Sequence, residues 1–86
     1  MLWRSTVPTL RMTLTFPPDL VREPVIYTVA KTHRLVPNIR QARVTETSGE
    51  ATLDFTGTED DLKHGIQHLT QLGVKVKPIG GSSASA

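Results

Sequence analysis

Between Thr9 and Phe16 apolar and polar residues alternate one for one. Leu10, Met12, Leu14 and Phe16 fall on one side, and Thr9, Arg11, Thr13 and Thr15 on the other. A period of two describes a strand with one buried and one wet face. Pro17-Pro18-Asp19 ends it. The period then lengthens. Val25, Ile26, Val29 and Ala30 form a helical stripe that His33 continues, so a helix is expected over residues 23–34. Pro24 suits its first position, and Glu23 complements its N-terminus. Lys31, His33 and Arg34 bring positive charge to its last turn, where the dipole favours it.

Pro37 interrupts the chain, and a second strand is expected over residues 39–46. Ala42 and Val44 alternate there with Arg43 and Thr45, while Ile39 is out of phase, which predicts a bulge or a bend near Arg40. The segment Thr47-Ser48-Gly49-Glu50 reads as a turn. Ala51, Leu53 and Phe55 then alternate with Thr52, Asp54 and Thr56 as a third strand, making an antiparallel hairpin. Thr58 with Asp61 three residues on marks a helix start, and Glu59-Asp60-Asp61 loads its first turn with carboxylates. Leu62, Ile66 and Leu69 supply the buried face, and Gly73 the cap. Val74 and Val76, alternating with Lys75 and Lys77, make a fourth short strand.

The order is βαββαβ. Each strand has one apolar face, so both helices must cover the same side of one sheet. Right-handed crossovers then give an α+β, ferredoxin-like fold, a four-stranded antiparallel sheet with two helices on one face. Residues 1–8 read as an N-terminal extension and residues 9–79 as the domain. Residues 80–86, Gly-Gly-Ser-Ser-Ala-Ser-Ala, have the composition of a flexible linker or an appended tail. The outward sheet face is expected to carry Thr9, Arg11, Thr13, Thr15, Arg43, Thr45, Thr52, Asp54, Lys75 and Lys77.

Composition narrows the chemistry. Eighty-six residues, 37% apolar, allow one small core. Ten Lys and Arg against eight Asp and Glu leave a net charge of +2, too small an excess to call for nucleic acid or an anionic membrane. The chain has no cysteine, which excludes disulfides, a thiolate nucleophile, Cys-ligated zinc and an iron–sulfur cluster of its own. A thiol-based metal carrier is thereby closed. No apolar run approaches the roughly 20 residues of a membrane helix, and no signal peptide is read at the start. An RNA-binding sheet needs stacking rings where this chain has Thr13, Thr15, Thr52 and Asp54. A glycine-rich anion cradle cannot be built from Pro17-Pro18-Asp19-Leu20-Val21.

The remaining candidates are few. His64 and His68 are four apart, a metal-pair spacing, but both lie off the Leu62–Ile66–Leu69 stripe and no third ligand is evident. They read as surface histidines, and His33 as a dipole partner at a helix end. Arg34, Arg40 and Arg43 form a basic cluster around the second strand, either a solvated edge or a docking patch. Trp3 in the N-terminal extension is either a lid or an anchor into a partner. No cofactor, no metal site and no catalytic constellation is expected, and the compartment is read as cytoplasmic.

The stretch from Leu10 to Ile79 resembles the NIL domain family. The marks are "LTF" in the first strand, "EPVIY" opening the first helix, "NIRQARV" in the second strand, the Gly that ends the third, and "LTQLGVKV" near the end. The resemblance implies the same βαββαβ fold. It also implies the setting in which such domains occur. They lie at the C-terminus of the ATPase of bacterial methionine importers, where they bind methionine near an interface between two copies and restrain transport. Related versions are fused to ferredoxin modules or stand alone in cyanobacterial proteins. Asn38 and Ile39 match positions associated with the ligand site. Arg40 departs from the importer's Leu and is closer to the ferredoxin-fused group.

Two functions of different class follow. One is a non-catalytic regulatory module that binds a small ligand, an amino acid or a relative, at a dimer interface through Asn38 and Ile39. The other is an accessory or assembly subunit, docking on a larger redox or membrane complex through Arg40, Arg43 and Trp3.

Overall fold

The computed structural model describes residues 8–82. The elements are β1 (Thr9–Phe16), a short 3-10 turn (Pro18–Leu20), α1 (Val25–His33), β2 (Val36–Val44), β3 (Gly49–Thr56), α2 (Glu59–Leu72) and β4 (Lys75–Ser82). The strands form one antiparallel sheet in the order β2-β3-β1-β4. This is the ferredoxin-like α+β arrangement expected from the periodicities. Trp3 and most of the N-terminal extension lie outside the described residues, as do residues 83–86.

The core sits between the sheet and the two helices. Met12, Leu14, Val29, Leu53 and Leu69 are fully buried, and Phe55 nearly so. Leu35 wedges into the joint between α1 and α2. A Cβ added to Gly57 or to Gly65 would come within 2.6 Å of a Leu35 methyl group. The two glycines therefore leave the space that Leu35 fills. Gly65 also lies against Val29, which lets the helices approach closely.

The helix ends follow the expected chemistry in α2. Thr58 accepts a hydrogen bond from the Asp61 amide at 3.1 Å. Gly73 adopts φ 102° and its N–H reaches the Leu69 and Thr70 carbonyls. At the other helix Pro24 caps α1 from outside rather than opening it, and Glu23 is left out of the first turn. Arg34 closes α1 in the left-handed region, at φ 58°, where a side chain is disfavoured.

Strand boundaries differ from expectation in β2, β3 and β4. β2 begins at Val36, not at residue 39, and runs through Pro37. It is an edge strand, where a missing N–H on the open side costs no ladder bond. It ends at Val44, because Thr45 and Ser48 bond to each other across the turn. β3 therefore begins at Gly49. β4 extends to Ser82, so the first part of the segment read as a flexible tail is paired with Thr9–Arg11 of β1. Backbone pairing alone carries that extension, across a register shift near Ile79.

Candidate functional site

The outer sheet face and the inner face present different chemistry. On the outer face, Thr9 meets Thr56 at 2.9 Å and Thr13 meets Thr52 at 3.1 Å. Between these pairs Arg11 grips Asp54 with two bonds, Nε to Oδ1 at 2.7 Å and Nη2 to Oδ2 at 3.2 Å. Arg40 Nη1 reaches Oδ2 of the same carboxylate at 3.4 Å. Asp54 is buried, with 8% exposure. The Arg11 hydrogen bond holds its carboxyl below the usual carboxylate range, against a desolvation that opposes it. Both arginines satisfy this one acid, as bidentate guanidinium geometry favours.

The inner face is incompletely covered. Every residue of β2 is exposed, and Ile39 and Val44 remain more than half exposed. Beside them, between β2 and the start of α1, runs an apolar groove of about 210 Å3. Phe16, Val21, Ile26, Ile39 and Val44 are among its walls, and Tyr27 stands at its side. Glu23 and Glu50 are the charged groups in its lining. The groove exists because α1 is only nine residues long and leaves the edge strand bare.

The residues singled out in the sequence are separated by this geometry. Ile39 is in register with buried Leu53 and lines the groove. Asn38 is in register with Asp54, and so stands on the outer face. The pair does not converge within one copy. The expected bulge occurs between Ile39 and Gln41. It turns Arg40 toward Asp54, so the guanidinium stays out of the apolar groove. Arg43 is in register with Glu50. Gln41, Arg43, Glu50 and Thr52 line a shallow polar hollow at this edge.

The helix layer holds a contact that the sequence reading missed. His33 Nε2 and His68 Nδ1 lie 3.0 Å apart in a hydrogen bond, with the rings edge to face. His33 continues the α1 stripe as expected. Its partner came from α2, and only the tertiary fold shows that the two helix faces meet.

The chain matches the NIL domain over residues 10–78. It belongs to the NIL domain family. A crystal structure titled as the C-terminal domain of an ABC transporter ATP-binding protein, from Enterococcus faecalis, has the same fold. The two are 20% identical, with a TM-score of 0.71, and the alignment covers 83% of each chain. No characterised protein sequence matches the chain significantly. Within the NIL domain the groove and the bare β2 edge fall inside the matched residues, as do Asn38, Ile39, Arg40 and Arg43.

Proposed function

We propose that this NIL domain is a small regulatory module, without catalysis of its own, that binds a small ligand in the groove beside β2. The apolar groove is the observation that carries this reading. Its volume is below the roughly 300–1,000 Å3 of drug-sized sites, which suits a molecule the size of an amino acid. Ile39 supplies a wall. Glu23 offers a carboxylate to an ammonium and the apolar walls receive an apolar side chain, which together suit an amino acid of that kind. A second copy paired along β2 would close the open side, and Asn38 of that edge would then face the junction between copies. The module works in the cytoplasm, on a partner carried by another chain or another part of its own.

Thermal unfolding with and without added amino acids tests this, with methionine tried first. A saturable rise in Tm is expected, abolished by Ile39→Asp and unaffected by Arg43→Glu. Absence of a shift with any amino acid removes the reading.

The exposed edge supports a second reading, an accessory subunit docking on a larger assembly through Arg40, Arg43 and Trp3. Asp54 already holds Arg40, which leaves Arg43 as the freer contact. This reading expects salt-sensitive co-purification with a partner, lost in Arg43→Glu and kept in Ile39→Asp.

A further inference from the structure

The chain has three histidines, and all three line one hollow on the outside of the helix layer. His33 comes from the end of α1, His64 and His68 from successive turns of α2, and Thr32, Gln67 and Gln71 complete the lining. We propose that His33, His64 and His68 form a binding site for a divalent transition metal of the zinc type.

The distances support it. Two imidazole nitrogens on one zinc, each at about 2.0–2.1 Å, stand about 2.9–3.4 Å apart. The Nε2 of His33 and Nδ1 of His68 are 3.0 Å apart. A hydrogen bond now joins them; to hold a metal both rings must turn so that their lone pairs meet at one point off the line between the two nitrogens. Among the described residues no three metal-binding side chains converge as they stand. Two nitrogens therefore stand at the separation of two ligands, and His64 is the third arm that has to turn in. It sits four residues before His68, the separation that puts two side chains on one helix face. It is exposed, so its ring is free to turn. Three imidazoles with an open fourth position for water make a common zinc donor set.

The surroundings fit a cation. No lysine or arginine is among the six lining residues, and the other side chains there are neutral amides and a hydroxyl. The hollow opens to solvent, which gives the ion a path in. Because His33 belongs to one helix and His64 and His68 to the other, the bound metal would tie α1 to α2 at the end away from the groove.

Titration of the intact chain with Zn2+ against a chromophoric chelator tests the site, with Co2+ absorption reporting the ligand geometry. One equivalent is expected to bind at neutral pH, with histidine ring proton signals of all three residues shifting together. His33→Ala, His64→Ala and His68→Ala should each weaken binding at least about tenfold, since even an outer partner of a metal ligand accounts for that much. His68→Gln repeats the test with less loss of packing, should the alanine variant unfold. Acidification should release the metal, because protons compete for the same nitrogens. Equal binding by the wild type and the triple variant overturns the proposal. So does affinity that His64→Ala leaves unchanged.

Discussion

At the residue scale, Leu35 and Asp54 show how local choices are decided by tertiary neighbours. Gly65 lies in the interior of α2, where alanine is normally favoured by about 1 kcal/mol. Here a Cβ would meet Leu35 at 2.6 Å, and Gly57 stands on the other side of that leucine. Moving away from one glycine position drives Leu35 toward the other. Gly65→Ala is therefore expected to destabilise by about 1–3 kcal/mol, the usual cost of overpacking, as read from urea unfolding midpoints at unchanged slope. Asp54 gives a pH signature. Its folded-state pKa is lowered, first by the Arg11 hydrogen bond. The unfolded chain thus takes up the proton first as pH falls. The stability Asp54 contributes is complete above its unfolded value of about 3.9, and is lost as pH drops through the lower folded value. Asp54→Asn should flatten the acid limb of a Tm-against-pH curve while leaving two arginines without their acid.

At the scale of elements, the helices and strands read differently from the sequence. The α2 helix was legible from end to end, because its signals are local: Thr58 and Asp61 at the start, the apolar stripe, Gly73 at the stop. Thr58→Ala removes the acceptor for the Asp61 amide and is expected to cost about 0.5–2 kcal/mol, measurable by thermal unfolding. The end of α1 was less legible. Nothing in the sequence marks Arg34 as left-handed, since the position is usually glycine. Arg34→Gly relieves a penalty of roughly 1–2 kcal/mol, partly offset by the freer unfolded chain, so a small rise in Tm is expected. β1 and β3 were read within two residues because alternation is a one-strand property. The limits of β2 and β4 were not. They are set by what lies beside them: an open side that tolerates Pro37, and the backbone of β1, which pairs with Gly80 and Gly81 despite their composition.

The candidate site obeys the same distinction. Ile39 was visible as an apolar position out of phase, and the bulge after it was visible for the same reason. That Asn38 and Ile39 look to opposite faces follows from the strand period of two, once β2 is known to include both. The groove itself was not visible, because it is the space left where a nine-residue helix fails to cover a nine-residue strand.

At the scale of the whole molecule, that uncovered strip is a missing piece of the second layer. Whatever fills it stabilises the fold by mass action, and the two ways of filling it differ in what the stability depends on. A bound ligand adds about 2.7 kcal/mol at a hundred times its Kd, whatever the protein concentration. A second copy seated on β2 makes Tm rise with protein concentration instead. For a domain of this size, 1 kcal/mol corresponds to about 4–8 °C, so either dependence is easily read. Tm measured across a hundredfold range of protein, with and without methionine, separates them. If ligand and copy bind at one junction, the ligand's effect should itself grow with protein concentration, and Val44→Lys should remove both dependences together. A ligand effect that persists unchanged in Val44→Lys would place the ligand elsewhere than in the groove.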